Sequence, residues 1–250
     1  MNTPSKQPGE RLQKVLATSG LGSRREIERW IQAGRLSIKG RKAKLGDRVT
    51  EDDKVSLDGK VISKKRLKDI QHRVIIYNKP EGELVTRSDP EGRKTVFTHL
   101  PRLEKGRWVA VGRLDINSAG LMLFTTDGQL ANQLMHPKQQ IEREYAVRVM
   151  GEVKNDHLKQ LVNGVELEDG FARFEDIVAS GGEGINRWFH VVIMEGRNRE
   201  VRRLWESVGL KVNRLKRVRF GNVFLDSSVK VGQWKDLDEK QTRELIRLCK

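Results

Sequence analysis

The chain has a single cysteine in 250 residues, Cys249, next to the last position. That excludes a disulfide framework and any cysteine-rich zinc site, and it fits a reducing compartment. The five histidines, His72, His99, His136, His157 and His190, stand in five unrelated contexts with no His-x-x-x-His pair and no cysteine beside them. No metal is expected. No apolar run approaches the roughly 20 residues needed to span a bilayer, and the polar opening MNTPSKQPGE lacks the apolar stretch of a secretory signal. The expectation is a cytoplasmic protein with no membrane partner. GxGxxG, GxxxxGK[ST] and GxSxG are missing too, which leaves dinucleotide, nucleoside triphosphate and serine-hydrolase chemistry without their sequence signals.

What is present is positive charge, and it is concentrated. Lys and Arg number 49 against 34 Asp and Glu, for a net charge of +15. Residues 1–73 hold 19 basic and 9 acidic side chains, and residues 197–220 hold 9 and 2, while the rest of the chain is slightly acidic. A chain made basic only for solubility would spread this excess; two concentrated segments are the footprint of a phosphate backbone. The basic stretches alternate with turn residues and short strand-like runs, unlike a basic amphipathic membrane helix. At 36% hydrophobic residues the chain is apolar enough to fold, and its length suits one large or two modest domains.

Leu12, Val15 and Leu16 recur at helical spacing ahead of Gly20, a good residue to end a helix. Ser23 precedes Glu26 by three residues, the spacing of a capping box, and Ile27, Trp30 and Ile31 form the apolar stripe of a second helix that stops at Gly34. Arg35–Ala43 and Lys54–Ile62 each read as short strands around a glycine turn. The following segment, 63–72, is charged, poor in apolar residues, and reads as a linker. From Arg73 onward, Val74-Ile-Ile-Tyr, Trp108-Val-Ala-Val, Leu121-Met-Leu-Phe, Tyr145-Ala-Val-Arg-Val and Phe189-His-Val-Val-Ile read as strands, with helices near 127–134, 155–162 and 200–207. Strands and helices do not alternate as βαβ units, so the expected class is α+β with a mixed, largely antiparallel sheet. Gly181-Gly-Glu-Gly reads as a flexible loop, and Trp108, Trp188, Trp205 and Trp234 as core or interface residues.

One carboxylate stands in an unusual setting, Gly112-Arg-Leu-Asp115-Ile-Asn-Ser-Ala-Gly-Leu. Taken locally, Asp115 reads more readily as a turn cap than as a reactive group. Tyr145 on an alternating strand is by default a packing residue, and Arg202 a helix-surface cation.

The order of motifs changes that reading. Leu12-Gln-Lys-Val-Leu, Gly22-Ser-Arg-Arg-Glu and Ala33-Gly-Arg-Leu-Ser-Ile-Lys-Gly resemble the S4-type RNA-binding domain. Behind them come Tyr77-Asn-Lys-Pro-Glu-Gly-Glu, Gly112-Arg-Leu-Asp115, Arg143-Glu-Tyr145-Ala-Val and Glu195-Gly-Arg-Asn-Arg-Glu-Val-Arg202-Arg-Leu. Together they resemble the RsuA/RluB family of bacterial ribosomal RNA pseudouridine synthases, from about Arg11 to the end of the chain. Pro90-Glu-Gly-Arg-Lys-Thr-Val-Phe, Asn132-Gln-Leu-Met-His-Pro and Gly181-Gly-Glu-Gly-Ile-Asn look most like its branch acting on large-subunit, 23S, RNA.

The resemblance implies an S4-like domain at 10–62, a linker at 63–72 and a synthase domain at 73–250. It implies Asp115 as the catalytic aspartate, Tyr145 as the active-site tyrosine and Arg202 as the cation paired with that aspartate, with Arg199 as the other candidate for the pairing and Arg113 and Lys79 in support. Ser118 stands where the family often has threonine and keeps the hydroxyl. RNA contacts fall to Arg24, Arg25, Arg35, Lys39, Arg41 and Lys42 in the first domain and to Arg197, Asn198 and Arg203 in the second. Moving the uracil from an N1 to a C5 link with C1′ adds no group and changes no oxidation state, so no cofactor is expected. A carboxylate opens the reaction as nucleophile or as base toward the 2′ proton, and a neighbouring arginine favours its charged form. A base within a helix must first be flipped out. The expected partner is ribosomal RNA, free or in a pre-ribosomal particle, and the expected state a monomer. The competing readings are an RNA-binding assembly factor without catalysis and a synthase acting on small-subunit, 16S, RNA.

Overall fold

The capping box expected at Ser23 forms in the computed structural model of the chain, which describes residues 9–50, 52–63 and 72–249. Glu26 N donates to Ser23 Oγ and Ser23 N to Glu26 Oε2, both at 3.1 Å. The box satisfies two amides that a helix start leaves without partners. It opens α2 (Arg24–Gln32), which stops just ahead of Gly34 at φ +69°. Before it lies α1 (Leu12–Thr18), preceded by β1 (Glu10–Arg11).

The two predicted hairpins follow as β2 (Leu36–Ile38) with β3 (Arg41–Lys42), and β5 (Val55–Leu57) with β6 (Lys60–Val61). Lys39-Gly40 and Asp58-Gly59 have positive φ at both turn positions, the backbone that matches strand twist in a two-residue hairpin. Between the hairpins β4 (Arg48–Val49) pairs with β1, and β2 and β5 join the hairpins into the order β3-β2-β5-β6. Leu12, Leu16, Ile27, Ile31, Leu36 and Val55 form the core of this unit. The chain divides into two compact units, the first comprising residues up to His72 with Pro101–Trp108 and Thr126–Gly128, and the second the remainder. Of the expected linker, 64–71 lie outside the described residues.

The second unit is built on a nine-stranded sheet. Its strands are β7 (Val74–Lys79), β8 (Val109–Ala110), β9 (Ala119–Thr125), β10 (Arg143–Met150), β13 (Asp176–Glu183), β14 (Asn186–Ile193), β15 (Lys211–Phe220), β16 (Val223–Phe224) and β17 (Trp234–Asp236). A separate hairpin pairs β11 (Val165–Leu167) with β12 (Gly170–Ala172). The main order is β13-β14-β10-β15-β9-β7-β17, with β16 on β15 and β8 on β9. β15 and β9 run parallel, and the sheet's other paired strands run antiparallel, as the α+β expectation requires. The three expected helices are α3 (Gly128–Met135), α4 (Asn155–Asn163) and α5 (Glu200–Ser207). One core layer joins Val74, Ile76, Leu121, Leu123, Leu134 and Phe220. A second packs Phe174 and Phe189 against Trp205, with ring centroids 5.8 and 5.2 Å away.

The structure adds to these readings and corrects one. The longest strand, β15, lies inside the basic run, where its cations mask an apolar alternation that two register shifts against β10 also interrupt. Gly181, Gly182 and Glu183 belong to β13, paired with β14, and are not a loop. Trp234, read as a core or interface residue, is 38% exposed on β17. A further helix, α6 (Glu239–Arg247), was not read from the sequence, although Asp238 and Gln241 cap it as a box.

Replacing Ser23 with Ala should destabilise the first unit by about 1 kcal/mol, seen as a lower urea midpoint in far-UV circular dichroism. A midpoint equal to wild type would show that the box adds nothing to stability.

Candidate active site

The turn that carries Asp115 is held entirely by its backbone. Between β8 and β9 four successive carbonyls, from Asp115 to Ser118, each accept a hydrogen bond. Lys79, at the end of β7 and fully buried, donates through Nζ to Ser118 O at 2.7 Å, Pro80 O at 2.9 Å and Asp115 O at 3.2 Å. Ser118 N also donates to Asp115 O, and Gly82 N to Ile116 O at 2.7 Å. Arg202 Nη2, from α5, donates to Asn117 O at 2.9 Å, while its Nη1 donates to Val212 O on β15 at 2.8 Å.

These bonds fix the main chain and leave the side chain free. Among the described residues the Asp115 carboxylate takes part in no hydrogen bond or ion pair. It is half-buried on the wall of an open cleft of about 800 Å³. A turn cap would accept a backbone N–H, and this carboxylate accepts none, so the turn-cap alternative fails.

β15 comes flush against the same turn. It pairs in parallel with β9 at Arg217 and Gly120, and a Cβ on Gly120, at φ +99°, would lie 2.2 Å from Arg217 O. Only glycine allows that approach. Arg217, 3% exposed, donates from Nε to Leu121 O at 2.7 Å. Tyr145 stands opposite Arg217 across the β10–β15 ladder and lines the cleft. It is only 7% exposed, and its phenol has no protein hydrogen bond among the described residues. Two residues earlier on the same face, Arg143 donates from Nη1 to Met194 O at 2.6 Å and Ile141 O at 3.0 Å.

Burial pushes the Lys79 ammonium down to about 8, with Glu83, Glu81 and Asp115 opposing the shift. It also lowers Arg143, with the charge of Arg217 adding and Tyr145 opposing. Arg202 is lowered by burial and by Arg199, while the negative charge of Asp115 opposes.

The expected ion pair between Arg202 and Asp115 is not formed. The guanidinium is committed to two backbone carbonyls, and it reaches Asp115 only through its field. Arg199, the other candidate, is exposed and pairs with Glu206 at 3.0 Å. It still lines the cleft with Arg113, Arg197 and Asn198. Lys79 and Arg202 lie behind the turn, outside the lining. Arg203 is turned away into a bidentate pair with Asp169 at 2.7 and 2.8 Å. The Arg197 side chain is tied to Glu195 and to the carbonyls of Gly170 and Phe171.

In the first unit Arg24, Arg25, Arg35, Lys39, Arg41 and Lys42 are all exposed. Arg35 pairs with Asp58, Lys39 with Asp53 and Arg41 with Asp47. Arg24, Arg25 and Lys42 have no ion pair among the described residues. Sequence reasoning missed Arg143 and Arg217 as cleft residues; the signal was the two-residue period that puts Arg143 on the face of Tyr145.

Residues 73–207 match the family described as RNA pseudouridylate synthase, and residues 10–55 match the S4 domain. The chain belongs to the RNA pseudouridylate synthase family. It is 59% identical over 234 residues to the ribosomal large subunit pseudouridine synthase B of Pseudomonas aeruginosa, covering 93% of this chain and 61% of that protein. To the protein of the same name from Escherichia coli K12 it is 58% identical over 244 residues, covering 96% and 84%. A crystal structure of a pseudouridylate synthase shares the fold with a TM-score of 0.65, over 94% of this chain and 99% of that one, at 23% identity.

The downward shift of Lys79 has a sign that can be tested. As pH rises through about 8 the ammonium becomes an amine, which has two hydrogens for three carbonyls. RNA-modifying turnover should therefore fall above about pH 8 at saturating RNA. Lys79→Met should start lower and lose that alkaline limb; a limb unchanged in the variant would assign it to another group.

Proposed function

We propose that the chain isomerises one uridine of large-subunit, 23S, ribosomal RNA to pseudouridine, in the cytoplasm, as a monomer and without a cofactor. The observation that carries this is the free Asp115 carboxylate: its turn is fixed at four carbonyls while the carboxylate faces a cleft lined by Arg113, Arg143, Arg197 and Arg199. A protein that only bound RNA would have no use for a carboxylate facing a polyanion. The similarity to the large-subunit synthases of two bacteria supports the choice of RNA.

The residues divide the work. A target uridine flipped into the cleft loses its stacking partners at a cost of a few kcal/mol, offset by phosphate contacts and by the Tyr145 ring. The Asp115 carboxylate opens the reaction, by attack or by taking the 2′ proton, so that the bond from C1′ to N1 breaks. The base turns, C1′ bonds to C5 as the Asp115 carboxylate is released from its adduct or returns the 2′ proton, and the C5 proton passes to N1 through water held at the Tyr145 phenol. Lys79 and Arg202 act as positioning residues by holding the backbone beneath Asp115. Residues 10–62 serve as an RNA-binding domain and 73–250 as the catalytic domain, with Arg24, Arg25 and Lys42 as the open contacts of the first.

The test is incubation of the purified chain with unmodified large-subunit and small-subunit RNA, without cofactors, followed by carbodiimide mapping of pseudouridine. One new site in large-subunit RNA is expected, absent with Asp115→Asn, which should bind RNA with nearly unchanged affinity. Binding without any new pseudouridine would favour the assembly-factor reading, and a site confined to small-subunit RNA would move the substrate to 16S.

A further inference from the structure

The basic run that contains β15 faces two ways. Along this strand Leu215 and Arg217 line the cleft, with Tyr145 of β10 and Ile193 of β14. Strand alternation sends Arg214 and Lys216 to the opposite face, with Ala146 and Arg148 of β10 and Trp188 and His190 of β14. The rungs read Trp188–Arg148–Arg214 and His190–Ala146–Lys216, with Lys211 opposite Met150 one step further on. Lys211 and Arg214 are exposed, and Arg148, Trp188, His190 and Lys216 are half-buried. Val178, which pairs with His190, is 52% exposed, and Met150 is 38% exposed.

The ion pairs set this face apart. Arg197, Arg199, Arg203 and Arg219 each have a carboxylate partner. Among the described residues Arg148, Lys211, Arg214 and Lys216 have none. Arg148 donates to Asn213 Oδ1 at 2.9 Å and lies 5.9 Å from the centroid of the Trp188 ring. The carboxylate within this face, Glu144, is already engaged by Arg219 and His190; Asp176 and Glu183 stand at the two ends of edge strand β13. Arg148 and Arg214 are direct cross-strand partners, and like charges so placed destabilise an antiparallel pair unless an anion lies between them.

We propose that this sheet face, opposite the Asp115 cleft, is a second RNA-contact surface that takes the phosphate backbone on Arg148, Lys211, Arg214 and Lys216, with the Trp188 ring available to an unpaired base. The proposal rests on the reading of RNA as substrate and deepens it: one segment of the RNA enters the cleft while another lies across the back of the same sheet. Four cations without carboxylates, beside an indole, suit a ribose-phosphate chain carrying bases better than an acidic protein surface.

The test uses the full chain with a large-subunit RNA transcript. Lys211→Gln, Arg214→Gln and Lys216→Gln are combined and compared with a control triple, Lys159→Gln, Lys230→Gln and Lys240→Gln, which removes the same charge from exposed positions elsewhere. For every phosphate left without its cation, the plot of log affinity against log salt should flatten by roughly 0.7–0.9. The face variant is thus expected to lose roughly two to three units of slope, with raised KM and unchanged kcat for pseudouridine formation, while the control keeps the wild-type slope. Equal slopes in all three proteins, or equal losses in both triples, would overturn the proposal. Turnover by wild type with equal slopes would sink only the back face; no turnover by wild type under any condition would sink the synthase reading and leave the slopes to judge the face alone.

Discussion

A buried ammonium bound to three carbonyls is the constraint on which the rest of the site depends. Lys79 has no exposed surface, and moving an unpaired ammonium out of water costs several kcal/mol. The cost is tolerated because the turn from Asp115 to Ser118 needs donors for its carbonyls, and Lys79 meets two of them while Arg202 meets a third. Satisfying the turn through its main chain leaves the Asp115 side chain outside the network. A carboxylate drawn into an ion pair with either cation would be held as well, but it would have to break that pair before reacting. Here the cations place it without touching it.

β15 transmits this arrangement across the sheet. It receives Arg202 at Val212, lies against Gly120 at a distance no side chain permits, and sends Arg217 back to Leu121. Tyr145 is seated by the same strand, directly opposite Arg217. The turn, the tyrosine and the floor of the cleft therefore share one strand, and their spacing is set by a hydrogen-bond ladder more than by loops. Such support suits a reaction in which a base must turn between two bonds to the same sugar carbon, since the groups on either side of it have to stay still while it moves.

Much of this was legible in the sequence, and the failures have physical causes. The helices and hairpins of the first unit were readable because their signals are local: a cap three residues from its partner, a glycine after a helix, a glycine in a two-residue turn. Asp115 and Tyr145 were found through motif order and lie in one cleft. Arg202 is assigned to the carboxylate only through the family resemblance that the motif order carries. The sequence does not reveal that two carbonyls from distant segments, Asn117 and Val212, compete for the same guanidinium. β15 was hidden for a related reason: its face pattern emerges only once the register with β10 is known, and two irregularities in that register break the simple period. Arg197 and Arg203 looked like free cations because Asp169, which engages both, lies 28 and 34 residues away.

The placement of charge follows from the same economy of partners. A carboxylate and an RNA backbone repel each other, so under the proposed function the cleft must hold enough positive charge to admit the RNA without allowing any of it to capture Asp115. Arg143 and Arg217 meet that requirement because their guanidiniums donate to backbone oxygens, Met194 and Ile141 for one and Leu121 for the other. A backbone carbonyl anchors an arginine without cancelling its charge, whereas a carboxylate does both. The rim arginines Arg197 and Arg199 are partnered by glutamates instead. The deepest cations thus remain electrostatically active where a phosphate or a polarised base would lie, and rigid enough not to fold over onto the aspartate.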